Sequence, residues 1–393
     1  MTHRQNNYAS RAGMYRQQPG GYRAFIPAPL PPNPSITITG ELQVVLSQAD
    51  RALGRLDGIM QMLPDPDLFV PMYVRKEAVL SSQIEGVQST LPDLLAAEEG
   101  VSTLRRTSDV DELVNYVAAM NHGLERLKEL PISIRLIREI HSRLLQGARG
   151  AHLMPGELRK SQNWIGPFGR TLQEASFVPP PPHQVAEDMS HLERFIHADT
   201  DLPLLVKIGL VHAQFEMIHP FLDGNGRVGR LLITFMLCER KVLAKPVLYL
   251  SWYFKQHRQQ YYDGLNAVHN AGAWEQWLVF FLRGVEVVSK QAADTARKIL
   301  ALREKHRRVI TDNFGRAAAN GYRVLDHIYE RPIISVSEAQ KVMGTTYVPA
   351  NKLVARMVDC GILRKIAQRT RYRSFAYQEY IDLFHDTESV VTS

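Results

Sequence analysis

Apolar residues recur at helical spacing through most of the chain, which has 393 residues. Within residues 40–100 this spacing predicts two helices separated by Pro64 and Pro66, and the second contains the stretch MYVRKEAVLSSQIEG. The same spacing returns in SDVDELVNYVAAMNHGLERL, SIRLIREIHSRLLQG, QVAEDMSHLERFIHA, PLLVKIGLVHAQFEMI, RVGRLLITFMLCERKVL and a long run that begins at WEQWLVFF. The pattern therefore predicts a core built of helices.

Two segments interrupt the helical pattern. The first forty residues are rich in Tyr, Arg, Gln and Pro and end in AFIPAPLPPNP, so that repeated proline predicts an extended arm without regular structure. Residues 150–182 contain four glycines, the proline run 179–182 and the short β-like stretches QNWIG and ASFVP. This second segment favours a small β-hairpin or flap over a helix.

The C-terminal part, from about residue 316, has a pattern of its own. YRVLDHIYE, SVSEAQKVMG and VPANKLVARMVDCGIL predict three helices, and RKIAQRTRYRSFAY mixes β-branched and aromatic residues with arginine. Three helices followed by a basic hairpin is the order of a winged helix-turn-helix domain.

Composition narrows the classes to which the protein can belong. Hydrophobic content is 45% and charged content 22%, which is ordinary for a soluble globular protein. No run of eighteen apolar residues and no apolar leader occurs, so we expect no membrane association and a cytoplasmic location, with Cys238 and Cys360 as free thiols. The net charge of +7 favours polyanionic partners, but the distribution of that charge along the chain is the stronger indicator of such a partner.

The segment HPFLDGNGRVGR, residues 219–230, has the residue types of a phosphate site. Its glycines and asparagine come at a predicted helix start, where unpaired N–H groups and the helix dipole favour an anion. Arg227 and Arg230 are three positions apart, so both can hold phosphate oxygens from one side. Asp223 offers a hard oxygen ligand for Mg²⁺, and His219 is placed to take a proton from a hydroxyl. The combination predicts attack on phosphorus rather than a merely polar helix start.

This segment resembles the signature of the Fic family, HxFx(D/E)GNGRxxR, and matches every specified position. The resemblance extends from about residue 40 to residue 285, through NYVAAM, LIREIHSRLL, PGELRKSQNWIG, FVPPPP, YLSWYF and WEQWLVFFLRG. It implies an all-α, Fic-type helical core with a small β-hairpin flap. It further implies a protein adenylyltransferase that moves AMP from ATP to a Tyr, Thr or Ser hydroxyl of a protein, including itself, and that pairs as a homodimer.

The resemblance also assigns roles to individual residues. His219 would be the general base, Asp223 the Mg²⁺ ligand, and Arg230 the grip on the γ-phosphate. The ATP-binding set would comprise Gly224, Asn225, Gly226, Arg227, Val228, Gly229 and Arg230, with Asn225 and Gly226 forming the anion hole. Tyr261 and Tyr262, with Asn266 one helical turn further, are similar to the family's adenine-lining segment. We favour Tyr262, because Tyr261 is as readily a core residue.

A second motif of the family is found before the core. Residues 81–86, SSQIEG, resemble the inhibitory motif (S/T)xxxE(G/N), with Ser81 and Glu85 one turn apart on the same helical face. The resemblance implies that Glu85 pairs with Arg230 and so denies that guanidinium to the γ-phosphate. By itself, the motif would be an ordinary solvated glutamate near a helix end.

Positive charge is concentrated in the C-terminal part. Its third helix carries Asn351, Lys352 and Arg356, and the predicted wing carries Arg364, Lys365, Arg369, Arg371 and Arg373 beside Tyr372 and Phe375. This cluster of positive charge is compatible with contact to DNA phosphates, but a domain of this kind equally serves to bind proteins. With the resemblance, we expect residues 1–104 to form an arm and helical region with the inhibitory helix, 105–290 the Fic catalytic core, 291–315 a connecting helix and 316–393 the winged-helix domain.

Three other interpretations use the same residues. The protein could be a DNA-binding regulator with a nucleotide-sensing core, although a sensor needs no base such as His219. Glu85 could instead position water for removal of AMP from a modified protein. His212 and Glu216 are one turn apart but lack a third ligand and the HExxH pattern, which favours a packed histidine over a zinc ligand.

Overall fold

The computed structural model describes residues 10–100, 108–147, 153–166, 171–366 and 373–385, and most of these residues are helical. The predicted helical core is thus confirmed. The helices, in chain order, are α1 (Gly40–Gln61), α2 (Val70–Ile84), α3 (Leu91–Glu98), α4 (Ser108–Arg126), α5 (Ile134–Leu144), α6 (Pro182–His197), α7 (Leu204–Ile218), α8 (Asn225–Glu239), α9 (Ser251–Gln256), α10 (Arg258–Ala271), α11 (Trp274–Phe314), α12 (Ala318–Glu330), α13 (Val336–Met343), α14 (Tyr347–Asp359) and α15 (Gln378–Asp382).

Local sequence explains where several of these helices begin. Thr90 and Asp93 form a reciprocal capping box at the start of α3. Ser133 and Ser335 each accept a backbone N–H from the first turn of α5 and α13. These side chains satisfy donors that the first turn of a helix leaves without a partner.

The N-terminal arm is more ordered than the sequence predicts. Strands β1 (Gly13–Gln17) and β2 (Arg23–Pro27) form an antiparallel hairpin. The prediction of an arm without regular structure is therefore wrong for these residues. The reason is that the proline-rich run follows β2 instead of interrupting it, while Gly20 and Gly21 supply the positive φ angles of the turn.

The predicted flap is a much smaller feature than a full hairpin. In the described part of residues 150–182, Ile165 and Phe177 form a single antiparallel bridge. The adjoining Val178 accepts a backbone hydrogen bond of 2.8 Å from Phe25 of β2. The N-terminal hairpin thereby supports the base of the flap.

The longest helix organises the core. α11 has 41 residues and lies against α1, and its residue Trp277 donates a 2.8 Å hydrogen bond to the carbonyl of Gly209 in α7. Residues 291–315, which we expected as a separate connecting helix, are the C-terminal part of α11 and the residue that follows it. α7 and α8 are buried along nearly their whole lengths, so the loop between them is attached at both ends to closely packed helices.

The C-terminal part contains α12, α13 and α14 and a small antiparallel sheet. Strands β3 (Ile333–Ser335), β4 (Arg364–Lys365) and β5 (Ser374–Ala376) lie in the order β3-β5-β4. Three of the wing residues named above, Arg369, Arg371 and Tyr372, lie outside the described residues. Arg356 donates to the carbonyl of Phe314 at 3.4 Å and lies over the Phe314 ring, so it stabilises the end of α11. The winged-helix assignment and the domain boundaries stay predictions.

Two expectations from composition concern the whole chain. Cys238 and Cys360 are both free. Within the residues that the structure describes, no helix has both the length and the apolar character that crossing a bilayer requires.

Two glycines should respond in opposite directions to the same substitution. A Cβ on Gly123 of α4 would overlap the Phe235 ring of α8, whereas a Cβ on Gly58 of α1 meets nothing within 4 Å. We expect Gly123→Ala to destabilise the protein by about 1–3 kcal/mol through overpacking. Gly58→Ala should stabilise it by about 0.5–1 kcal/mol because alanine has the higher helix propensity. Urea unfolding of both variants measures the difference, and equal midpoints would contradict this packing of α4 on α8.

Candidate active site

A sharp reversal of the chain joins α7 to α8. His219 ends α7 in the left-handed region, with φ 49° and ψ 60°, and Gly224 precedes α8 with φ 78°. A non-glycine residue in this region costs on the order of 1–3 kcal/mol and persists only where its surroundings impose it. The turn brings the imidazole of His219 to the N-terminal end of α8.

Arg159 imposes that conformation. The residue is 3% exposed. Its guanidinium donates from Nε to the His219 carbonyl at 2.8 Å and from Nη2 to the Pro180 carbonyl at 2.5 Å. Its backbone N–H donates to the Pro220 carbonyl at 2.9 Å. Burial lowers the pKa of Arg159 to about 10, which leaves it charged at neutral pH. Arg159 therefore fixes the histidine turn to the base of the flap.

Asn225 closes the loop between the turn and α8. Its side chain accepts the N–H of Phe221 and donates to the carbonyl of the same residue, each at 2.8 Å. The side chain thus binds the loop through its oxygen and one of its two N–H groups, and the backbone N–H of Asn225 lies at the start of α8. Val228 likewise has its side chain buried in the apolar core.

His141 supports the same loop from α5. Its Nδ1 accepts the N–H of Gly156 at 2.8 Å, so its Nε2 carries the proton and donates to the Asp223 carbonyl at 3.0 Å. The ring stacks on Phe221 with centroids 3.7 Å apart. Burial lowers the pKa of His141 to about 4, which keeps this arrangement neutral.

The histidine at the turn is set up as a proton acceptor. His219 Nδ1 lies 3.3 Å from the carbonyl of Glu216, which can only accept, so Nδ1 carries the proton and Nε2 has the free lone pair. Burial and the positive charge of Arg159 lower the pKa of His219 to about 4. The imidazole is therefore neutral at physiological pH.

Asp223 and Arg227 lie at the mouth of the loop. Asp223 Oδ1 accepts the Gly224 N–H at 2.7 Å, and the Asp223 side chain is 44% exposed. Arg227 is buried, pairs with Glu112 at 2.8 Å and reaches Asp223 Oδ2 at 3.5 Å. A single half-exposed carboxylate fits a Mg²⁺ that takes its other ligands from phosphate and water. In the described part of the chain, no group of three or more His, Cys, Asp or Glu residues is arranged to hold a metal ion.

Arg230 is held by the helix that carries the second motif. It donates from Nε to Ser81 Oγ at 2.8 Å and from Nη2 to the Ser81 carbonyl at 3.0 Å and to Glu85 Oε1 at 2.6 Å. Burial opposes the charge of Glu85, but Arg230 outweighs it and holds the pKa of Glu85 below its usual value. Burial likewise opposes the charge of Arg230, while Glu85 raises the pKa of Arg230 well above its usual range.

Gly226 allows this carboxylate to approach the helix start. A Cβ on Gly226 would overlap Glu85 Oε1 and would lie 3.0 Å from Arg230 Nη1. The carboxylate of Glu85 therefore stands at the N-terminal end of α8, in the place that favours an anion. The structure pairs Glu85 with Arg230 as the resemblance implied, although 145 positions separate them, and it adds the bonds from Arg230 to Ser81, which the sequence did not predict.

The tyrosine pair divides into a core residue and a surface residue. Tyr261 is 1% exposed and its hydroxyl lies 2.9 Å from His212 Nε2, while His212 Nδ1 donates to the Gly229 carbonyl at 3.1 Å. His212 is thus a packed histidine. Tyr262 is partly exposed, and burial followed by the negative charge of Glu85 raises its pKa. Tyr262 is therefore the better placed of the two to meet a ligand.

Four residues of the site were not found from the sequence. Arg159, His141 and Glu112 position the loop and Arg227, while Glu216 lies against Gly229 with its Oε1 buried and without a hydrogen-bond partner among the described residues. Burial raises the pKa of Glu216 to about 7. Arg159 and His141 do fall within the stretches PGELRKSQNWIG and LIREIHSRLL, but nothing in their spacing links them to residues 219–230.

Comparison with known proteins finds family matches for the central part of the chain, which contains both motifs. Residues 44–125 match the Fic/DOC family N-terminal model and residues 131–237 match the Fic/DOC family model. A crystal structure of a Fic family protein from Desulfovibrio desulfuricans G20 has a similar fold, with a TM-score of 0.57 and 19% identity over 87% of this chain and 97% of that one.

Relatives with named activities are similar over a shorter region. A probable protein adenylyltransferase of Aquifex aeolicus is 29% identical over 181 residues, 44% of this chain and 51% of the relative. The protein adenylyltransferase Fic of Aedes aegypti is 32% identical over 166 residues, 40% of this chain and 29% of the relative. The chain thus spans about half or less of the length of these relatives.

The loop closure by Asn225 can be tested without knowledge of the reaction. Asn225→Ala leaves the buried N–H of Phe221 without its acceptor, whereas the Phe221 carbonyl keeps the 2.8 Å bond from Asn163 Nδ2, and we expect a loss of about 1–3 kcal/mol of stability. Urea unfolding measures it. Asn115→Ala, which removes an exposed bond to the Gln146 carbonyl, is the control and should change stability by less than about 0.5 kcal/mol. Equal losses in the two variants would refute the closure.

Proposed function

We propose that the protein is a self-inhibited protein adenylyltransferase, because residues 44–125 match the Fic/DOC family N-terminal model and residues 131–237 match the Fic/DOC family model. Its substrates are ATP and a protein with a Tyr, Thr or Ser hydroxyl, which can belong to the enzyme itself. The observation that carries the proposal is the proximity of a neutral histidine with a free Nε2 to a helix start that accepts an anion.

The transfer follows from this arrangement. His219 Nε2 takes the proton of the target hydroxyl, the oxygen forms a bond to the α-phosphorus, and the bond from that phosphorus to the bridging oxygen of diphosphate breaks. The backbone N–H groups at the start of α8, from Asn225 and Gly226, and the guanidinium of Arg227 stabilise the phosphates. Asp223 would hold Mg²⁺, which would neutralise phosphate charge. Tyr262 would line the adenine pocket.

The brake follows from the position of Glu85. Arg230 has the charge and depth to bind the γ-phosphate, but its Nη2 is paired with Glu85 at 2.6 Å. While the pair persists, ATP can bind only with its γ-phosphate away from Arg230, which leaves the α-phosphorus misaligned. Two other functions stay open to the same test: a nucleotide sensor that transfers nothing, and an enzyme in which Glu85 positions water to remove AMP.

Label transfer separates these functions. With ATP labelled at the α-phosphate and Mg²⁺, we expect Glu85→Gly to incorporate at least about tenfold more label into protein than the wild type, because misplacement of reacting atoms by about 1 Å can cost on the order of 10²-fold. His219→Ala should incorporate none. Glu129→Gly, whose side chain is 73% exposed, is the control and should equal the wild type.

Each alternative gives a different result in the same assay. A nucleotide sensor leaves every protein unlabelled. An AMP-removing enzyme releases label from a pre-modified target in the wild type and does so less in Glu85→Gly. Equal incorporation by the wild type and Glu85→Gly would refute the brake and leave the transferase.

The rate in Glu85→Gly should report the pKa of His219. Because that pKa is lowered to about 4, the base stays neutral on acidification from pH 8 to about pH 5.5 and becomes protonated only as the pH approaches 4. Loss of Glu85 removes a charge that raises this pKa, so the variant should not titrate higher. A rate that halves near pH 6.5, with the fold intact by tryptophan fluorescence, would show that burial does not control the base.

We also propose that the C-terminal part contacts duplex DNA. Lys352, Arg364, Lys365 and Arg373 are exposed, Arg373 donates to Asn351 at 2.7 Å, and α14 begins with the exposed apolar pair Tyr347 and Val348. Three to four phosphate contacts would weaken binding of the full chain to a fluorescent duplex by roughly 40- to 150-fold between 50 and 200 mM salt. Binding that is absent at low salt would favour a protein partner.

A further inference from the structure

The helix that carries the brake has two ends with different neighbours. The last turn of α2 contains Ser81, and Glu85 follows it directly, so both reach Arg230. Its first half contacts the C-terminal module, defined here as the described residues of 316–385. Fifteen helical residues span roughly 22 Å, so α2 physically links this module to the catalytic arginine.

Aromatic side chains make the first part of the contact. Phe69, the residue just before α2, packs edge-on against Tyr329 of α12 with centroids 4.9 Å apart. Tyr73 of α2 packs edge-on against Phe384 at 5.1 Å, and its hydroxyl donates to the carbonyl of Ala292 in α11. Phe69, Tyr73 and Tyr329 are at most 1% exposed, so the module and α2 share one apolar interface.

Arg75 makes the second part of the contact. It is 8% exposed and donates from Nη1 to the carbonyl of Glu330 at 2.8 Å and from Nε to Glu98 of α3 at 2.7 Å. Glu330 is the last residue of α12, where carbonyls lack partners within the helix and a positive charge is favourable. One buried guanidinium therefore ties α2 to both α3 and the module.

The second half of α2 is buried but borders a cavity. A cavity of about 300 Å³ lies behind Val79, Leu80 and Gln83, and it is bordered by Lys255 of α9 and by Phe384 of the module. On the side of the cavity, Gln83 accepts a 2.8 Å hydrogen bond from Lys255 and donates to the Ser89 carbonyl at 3.0 Å. A shift of α2 into this space therefore requires release of its first half and loss of these two Gln83 bonds.

We propose that the C-terminal module is a regulatory clamp that keeps Glu85 on Arg230 by holding the first half of α2. This inference rests on the proposed function, because it concerns the same brake. A signal that moves the module releases Tyr73 and Arg75, α2 shifts toward the cavity, and Arg230 becomes available to the γ-phosphate.

A variant at Arg75 tests the clamp in two backgrounds. Arg75→Met keeps the length of the side chain and removes its charge and hydrogen bonds. In the otherwise wild-type chain we expect it to raise incorporation of α-phosphate label by about fivefold or more. In the Glu85→Gly background it should raise nothing further, because the brake is already absent.

The matched control is Arg297→Met, which replaces an arginine of α11 that pairs with Asp294 of the same helix. It should leave incorporation unchanged in both backgrounds. A folded Arg75→Met variant with wild-type incorporation, or one that changes incorporation equally in both backgrounds, overturns the clamp. If Arg75→Met proves unfolded, Phe384→Leu trims the same interface without leaving a charge unpaired and has the same expected outcomes.

Hydrogen exchange tests the clamp independently of the reaction. We expect the backbone amides of residues 79–85 to exchange faster in Arg75→Met than in the wild type or in Arg297→Met. If Glu85→Gly incorporates no label, the proposed transferase activity has failed, and this exchange measurement alone decides the clamp. Unchanged exchange in the variant overturns it.

Discussion

A guanidinium buried at the start of a helix needs an anion, and Arg230 is 3% exposed. In this structure the anion is Glu85, whose carboxylate stands at the N-terminal end of α8, where the helix dipole also favours negative charge. A triphosphate would bring its own anion to the same place. The competition between one carboxylate and one phosphate for Arg230 therefore connects the two motifs of the chain, the proposed chemistry and its proposed inhibition.

That competition has consequences only if the base is fixed in position. His219 occupies a left-handed conformation that is costly for any residue but glycine, and Arg159, Asn225 and His141 impose it through hydrogen bonds to backbone groups of the loop. None of these three side chains has to touch a substrate to matter. Through these bonds they fix the position of His219 relative to the N-terminal end of α8.

The peripheral elements support the site from two sides. The N-terminal hairpin is bonded to the base of the flap through Phe25 and Val178, and Arg11 pairs with Glu275 at the start of α11. On the other side, the C-terminal module packs on α2, the helix that delivers Glu85. The N-terminal hairpin thus supports the flap base to which the His219 turn is bonded, and the C-terminal module supports the helix that brings Glu85 to Arg230.

The sequence by itself determined most of the helices and the residue types of a phosphate site at positions 219–230, because helical periodicity and a short signature are local properties. It also linked Glu85 to Arg230, but through family resemblance, since no local pattern joins residues 145 positions apart. Only the tertiary structure decided that Asn225 and Val228 turn their side chains away from the site, that Tyr261 is core, and that Arg159 and His141 hold the loop. These outcomes depend on which buried donors meet which backbone carbonyls. Tertiary packing decides those pairings, and the spacing of residues along the chain does not.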